Sequence, residues 1–351
     1  MGLNPSFWED KLVLVTGHTG FKGAWLTLLL KDLGANVIGL SLPPEYPQSL
    51  YAEINASELL SGEYFHDIRD YAGIVNIISE SRPDYVFHLA AQAYVRKSYK
   101  EPLETFATNV MGTGNVLVAA LAQKSIIGVT IATTDKVYEN LGAHKSFKES
   151  DRLGGNDPYS ASKAATELIV TSLESASNQH GTAVTTVRAG NVIGGGDWGE
   201  DRLIPDIVRA FKNGKPLSIR NPYATRPWQH VLDCLYGYLL TAELHLKKTE
   251  NVPKSLNFGP RDSMSVIDLV KNFEKEFNQV ITQEFVSSPM PESDWLAIDA
   301  SFAYRELGWK PSFSQLGAVS QTAKWYSKFL QGGSARVLIQ NEIADYKVGK
   351  W

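Results

Sequence analysis

The chain has 351 residues, 34 lysines and arginines against 38 acidic residues, a formal net charge of −4 and one cysteine. At about 150 residues per domain, that length accommodates two domains or one large α/β unit with an appendage, and 43% hydrophobic content is ample for a core. The weak negative balance argues against binding nucleic acid or anionic membrane through bulk charge, and the lone Cys234 excludes an internal disulfide or thiolate metal site, so a reducing, cytoplasmic setting is expected.

The first ten residues carry neither a basic start nor an apolar run, so no export signal is read, and Gly2 with Ser6 matches the myristoylation pattern only as a short string. Residues 11–16 (KLVLVT) read as a buried strand, followed by a glycine loop, a helix over 24–33 closed by Gly34, and a second strand over 35–40 that ends at Pro43, Pro44 and Pro47. Further strand-like runs are 85–88, 126–132 and 183–188, with helical stretches over 108–121 and 160–173 between them. The uncharged stretch 105–123 holds too many threonines and asparagines to span a membrane. Strands alternating with helices predict a doubly wound parallel sheet of Rossmann type. After Gly190 the alternation loosens, although a helix over 231–246 and a run over 255–258 can return to the sheet. The domains expected are therefore 1–190 with about 227–257 and 299–312 for a cofactor, and a smaller discontinuous α/β domain of about 191–226, 258–298 and 313–351 for substrate.

Gly17, Gly20 and Gly23 stand in the order strand, G-x-x-G-x-x-G, helix. Such glycines permit a tight turn, close approach of backbone to a pyrophosphate, and packing of helix on strand, while the helix N-terminus offers free N–H groups to phosphate. The residue before Lys22 is Phe21 rather than the glycine a P-loop requires. The acidic residue usual at the end of the second strand is missing, since Gly39, Leu40 and Ser41 occupy that place, so this rule does not choose NAD over NADP.

Tyr159 and Lys163 lie four apart at the start of a predicted helix and so share a face. A phenol titrating near 10 is a poor base at neutrality, and a close ammonium favours the phenolate. Thr134 follows a predicted strand, at the sheet edge where ligands bind, and its hydroxyl can orient a substrate hydroxyl beside Tyr159. Glycine loop, strand-end Thr and Tyr-x-x-x-Lys, in this order, resemble the short-chain dehydrogenase/reductase superfamily.

Longer strings are more specific: GHTGFKG (17–23), HLAAQ (88–92), TTDKVYEN (133–140), GGNDPYSASK (154–163), RAGNVIGGGDW (188–198), DRLIPD (201–206), TRPWQHV (225–231) and LGWKP (307–311). Together they resemble the CDP-glucose 4,6-dehydratase family, a nucleotide-sugar branch of the extended superfamily. The resemblance implies NAD as cofactor, CDP-glucose as substrate and a homodimer formed through two helices per subunit. It implies that Tyr159 takes the proton of the sugar 4-hydroxyl as the C4 hydride passes to NAD, that water is lost across C5 and C6, and that hydride returns to C6. Where sister dTDP-glucose enzymes have Asp-Glu after the Thr, this chain has Asp135-Lys136, so Lys136 is assigned as C5 base and Asp135 as acid at the C6 hydroxyl.

For the cofactor, the resemblance adds Phe21 and Lys22 in the loop, Asp67 and Ile68 at the adenine, Leu89, Ala90, Ala91 and Asn109 along the centre, and Tyr159 with Lys163 at the nicotinamide. Substrate contacts fall to Asn191, Arg202, Leu203, Arg220 and Arg226, the guanidinium forks suiting phosphate oxygens. His18, His66, His88, His144, His180, His230 and His245 show no metal-ligand spacing, and no metal is expected. Two readings stay open beside this one: a 4-epimerase or dehydratase for another nucleotide sugar, and a non-catalytic NAD-binding protein. Asp135-Lys136 argues against the epimerase, and the presence of both Tyr159 and Lys163 against the non-catalytic protein. Cys234 has no assigned role.

Overall fold

A computed structural model describes residues 3–142, 145–249, 251–286 and 295–349, so Gly2 and His144 lie outside the described residues. Seven strands form one parallel sheet: β1 (Leu12–Thr16), β2 (Asn36–Ser41), β3 (Gly62–Phe65), β4 (Tyr85–His88), β5 (Gly128–Ala132), β6 (Ala183–Ala189) and β7 (Ser255–Phe258). Their spatial order is β3-β2-β1-β4-β5-β6-β7, every neighbouring pair parallel. The order reverses between β1 and β4, and a crevice opens there at the carboxyl ends of the strands.

The run 255–258 does return to the sheet, Leu256 standing opposite Val187. β3 carries no apolar run (Gly-Glu-Tyr-Phe) and is only half buried at the sheet edge, which is why its pattern is silent in the sequence.

Helices cover both faces. On one side lie α1 (Phe21–Asp32) and, from late in the chain, a helix over Val231–Leu246. On the other lie α2 (Tyr71–Ser81), α3 (Thr113–Leu121) and α4 (Pro158–Ser177). α1 begins three residues earlier than its hydrophobic pattern because the extended Gly20 caps it. The run before α3 is helical from Pro102: α-helical over Pro102–Phe106, π-helical over Ala107–Gly112, then α-helical again. The wider turn leaves the Asn109 carbonyl to the hydroxyls of Thr113 (2.6 Å) and Thr166 (2.9 Å).

Beyond the sheet, α5 (Leu203–Asn213), α6 (Val231–Leu246) and α7 (Val266–Phe277) alternate with short ladders, including Leu217–Ile219 against Gln283–Phe285 and Thr225–Arg226 against Met264–Ser265. α8 (Gln315–Leu330) packs beside α7 and the loop at Gly195, and α9 (Ala335–Lys347) reaches back to α1, where Lys347 pairs with Asp32. One apolar cluster runs without a break from Trp25 and Val37 on the sheet side to Ile207, Phe211 and Phe273 of the smaller region. Among the described residues no helix is long and apolar enough to cross a membrane.

Three buried histidines stay neutral. His88, His230 and His245 are each pushed down to about 3 by burial. His245 joins Tyr85 (2.7 Å) and Thr185 (2.9 Å), tying α6 across β4 and β6. Its depressed folded value means that its contribution is complete above pH 6.5 and is lost as pH falls below it, because only the unfolded chain takes up the proton. The penalty of His245→Gln at pH 7 should therefore shrink on going to pH 5, at up to about 1.4 kcal/mol per pH unit below 6.5. Urea unfolding at both pH values checks this; a pH-independent penalty would contradict it.

Candidate active site

The crevice is a cavity of about 1260 Å³, above the roughly 300–1,000 Å³ of common small-ligand sites. It begins at the turn after β1. Gly17 has φ +74, and a Cβ there would lie 2.7 Å from the Ala90 backbone nitrogen, so the turn seats against the loop after β4 only as glycine. Gly17, Gly20, Phe21, Lys22 and Gly23 line the cavity, and the open N-terminus of α1 stands above a floor made by Leu89, Ala90 and Ala91. This cradle fits a dinucleotide pyrophosphate.

At the end of β2 the missing acid is replaced by a hydroxyl pair, Thr19 to Ser41 at 2.8 Å. Glu63 of β3 is engaged elsewhere, by His18 Nε2 (2.8 Å) and Tyr51 (2.6 Å), while burial holds His18 below its usual range. Asp67 and Ile68 reach the same cavity, and the Arg69 guanidinium holds the Asp67 carboxyl below the usual carboxylate range.

His88, at the head of the 88–92 string, is a packed strand residue, buried between the hydroxyls of Thr16 (2.7 Å) and Thr113 (2.9 Å). One expectation changes here: Asn109 also stands behind the wall. Its amide is spent on the Gln92 backbone (2.8 and 3.0 Å) and on Ser162 (2.9 Å), so its direct role is to fix the loop that the cofactor half presents.

The candidate reacting groups come from two segments. Asp157 caps α4 and Pro158 fills its first turn, setting Tyr159 at the cleft, with its backbone N–H given to Ser98 at 3.1 Å. Burial pushes Tyr159 up to about 12, against a hydrogen bond from Thr134 and the field of Arg202. Lys163, one turn on, is drawn down to about 7 by burial and by the nearby Lys22 ammonium, and donates to the Ala132 carbonyl at 3.1 Å. Thr134 and Arg202 thus supply the downward pull on the phenol that the sequence pattern assigned to Lys163.

After β5, Thr134, Asp135 and Lys136 form a short turn. Asp135 is fully buried and accepts from Thr134 (3.0 Å) and Lys136 Nζ (3.5 Å) on one oxygen and from Asn191 (3.3 Å) on the other. A Cβ at Gly190 would fall 1.8 Å from that carboxylate, so the chain after β6 passes Asp135 only as glycine.

On the far wall, Asn191, Arg202, Leu203, Arg220 and Arg226 all line the cavity. Asp197 holds Arg202 at 2.9 Å, over the ring of Tyr94. At the base Lys22 reaches toward the Tyr238 hydroxyl (3.4 Å), next to the buried Cys234, whose thiol is pushed up by burial. Among the described residues no group of three or more His, Cys, Asp or Glu could hold a metal ion.

Behind the site lies a pair that sequence reasoning passed over. Glu167 of α4 takes both forks of Arg188 (2.9 Å each), and its oxygens also accept from Thr133 and Thr186 at 2.6 Å. The available signal is spacing: Glu167 is four residues beyond Lys163 on one helix face.

A doubly wound sheet, a glycine turn feeding the first helix, and a strand-end Thr beside Tyr-x-x-x-Lys define an extended short-chain dehydrogenase/reductase. The chain belongs to the GDP-mannose 4,6 dehydratase family, whose model matches residues 14–322. It is 38% identical to a CDP-glucose 4,6-dehydratase of Salmonella typhimurium over 98% of both chains. It is 28% identical to a dTDP-glucose 4,6-dehydratase of Xanthomonas campestris, over 89% of this chain and 92% of that one. Among solved structures, a UDP-glucose 4-epimerase from Stenotrophomonas maltophila with bound NAD and formylated UDP-arabinopyranose shares the fold, with TM-score 0.80 and 22% identity over 92% of this chain and 100% of that one.

Replacing Arg188 by Met leaves Glu167 charged and buried without its partner, and should cost about 3–5 kcal/mol of stability. Urea unfolding measures it, and a loss below about 1 kcal/mol would show that the pair is dispensable.

Proposed function

We propose that this chain is an NAD-dependent dehydratase that converts CDP-glucose to CDP-4-keto-6-deoxyglucose and water. The observation that carries the reading is Asp135-Lys136 set directly after Thr134 and beside Tyr159, in a chain 38% identical over 98% of its length to a CDP-glucose 4,6-dehydratase. NAD, when bound, accepts hydride from C4 and later returns it to C6. It would be held by the Gly17–Gly23 turn, Asp67, Ile68 and the loop 89–91, with Lys163 beneath.

Tyr159 takes the 4-hydroxyl proton, with Thr134 directing that hydroxyl. The resulting 4-ketone acidifies the C5 proton, which Lys136 removes as a free amine. Asp135 protonates the departing C6 hydroxyl, which leaves as water. As hydride returns to C6, Lys136 gives its proton back to C5, and the proton held by Tyr159 passes through the Thr134 hydroxyl, 3.0 Å from Asp135, to the carboxylate, restoring all three groups. Arg202, Arg220 and Arg226, with Asn191, face the nucleotide diphosphate. Residues 1–190, with the returning segments, are assigned to the cofactor and the remainder to the sugar nucleotide, in a cytoplasmic enzyme.

The test is to incubate the purified protein with NAD and CDP-, dTDP-, UDP- or GDP-glucose and follow loss of one water by mass spectrometry. Dehydration of CDP-glucose is expected; turnover of another sugar nucleotide in its place would overturn the substrate assignment. Lys136→Ala should still oxidise C4, leaving the cofactor reduced, yet lose exchange of the C5 proton with deuterated solvent. Release of product by this variant at the normal rate would remove Lys136 from the base role.

A homodimer is proposed through the helical run 102–121 and α4. Their outer faces expose Leu103 (82%), Met111 (63%) and Leu168 (63%), an apolar surface that a second copy would cover. Sedimentation should give a dimer for the native chain and a monomer for Met111→Glu with Leu168→Glu; a monomeric native chain would refute it.

A further inference from the structure

Arg202 and Arg220 of the substrate wall each face a carboxylate of the same chain, and the two carboxylates, Asp197 and Asp201, differ in kind. Asp197, with its side chain 8% exposed, is built into the wall, its Oδ1 accepting the Gly199 N–H at 3.1 Å while its Oδ2 holds Arg202. Asp201 stands at the cleft mouth, with its side chain 46% exposed. Its Oδ1 lies 3.1 Å from Arg96 Nη1 and 3.9 Å from Arg220 Nη1. The two guanidiniums come from opposite walls: Arg96 from the helix Val95–Lys100, whose Ser98 holds the start of α4, and Arg220 from the end of the strand Leu217–Ile219. Arg96, Asp201 and Arg220 all line the cavity.

We propose that Asp201 is an internal stand-in for the substrate's diphosphate, bridging Arg96 and Arg220 and ceding both when a nucleoside diphosphate enters, so that Arg96 is a further diphosphate-binding residue. This rests on the nucleotide-sugar reading above. The physical case is one of competing anions. A diphosphate carries charge on two phosphoryl groups and can span two guanidinium forks, as the single carboxylate does now. If Asp201 kept its place, its charge would oppose the incoming phosphates within a few ångströms. Its exposure makes departure cheap, because exposed ion pairs contribute only about 0–1 kcal/mol each. Asp197 is held too firmly to exchange. A monophosphate must displace the same carboxylate yet engages one fork, so the arrangement favours diphosphates over monophosphates.

Calorimetric titration of the full chain with CDP and CMP tests this. Asp201→Asn should bind both CDP and CMP about three- to tenfold more tightly than the native chain, with the CDP-to-CMP ratio preserved. Arg96→Met should bind CDP more weakly, with an unchanged melting temperature. If Asp201 merely holds the arginines in place, Asp201→Asn will bind CDP more weakly, and equal or weaker binding overturns the proposal. A native chain that binds CDP normally separates that outcome from failure of the functional reading. A native chain that binds no nucleoside diphosphate overturns both.

Discussion

Glu167 does not line the cleft, yet three segments of the candidate site are referred to it. Through its own helix it fixes the height of Tyr159 and Lys163, which lie eight and four residues before it on α4. Through Thr133 it fixes the end of β5, from which Thr134, Asp135 and Lys136 depart. Through Arg188 and Thr186 it fixes β6, which leads into Gly190 and Asn191. Arg188 extends the tie to Tyr138 (2.8 Å), and Tyr138 to Asn257 of β7 (2.6 Å). A bidentate ion pair shielded from water suits this task, because it is directional as well as strong and a sliding apolar contact is not.

The alternating strands and helices were legible because both faces of the sheet are covered, so β1, β2, β4 and β5 are mostly apolar runs, while β6 is buried with Thr185, Thr186 and Arg188 paired inside. The same logic explains what was not legible. β3 closes an edge and needs no apolar run, and the small region is built from ladders of two or three residues whose partners lie far apart in the chain, such as Ser146–Phe147 with Ala297–Ile298. In the site, Gly17, Gly20, Gly23, Arg202 and Arg226, recognisable by motif, all reach the cleft. His88 belongs to such a motif but turns inward, as does Asn109, since a motif records what is needed near a site and not which way a side chain faces. Glu167 lies outside every such string, and Asp197 and Asp201 lie inside two of them without a role to read; their importance is in partners that only folding brings close.

The electrostatics of the cleft are set by burial as much as by pairing. Tyr159 is pushed up to about 12 and Lys163 down to about 7, each toward its neutral form. Lys22 adds to this by placing a second ammonium near the first. An anionic ligand in the glycine turn acts in the opposite sense on the lysines, favouring their charged forms, while the phenol answers to Thr134 and Arg202. The protonation of Lys163 is therefore linked to occupancy of the neighbouring cradle.

The π-helical turn at Ala107–Gly112 holds one residue more than an α-helical path would need. Residues before it, such as Leu103, and after it, such as Val116 and Leu117 in the core, are kept in phase only by that surplus. Deleting one residue here would rotate the preceding segment by about 100° and carry Asn109 away from Gln92 and Ser162. Chain length within this turn is thus fixed by geometry: a change in its count would misalign the outer apolar face and the loop of the cofactor half at once.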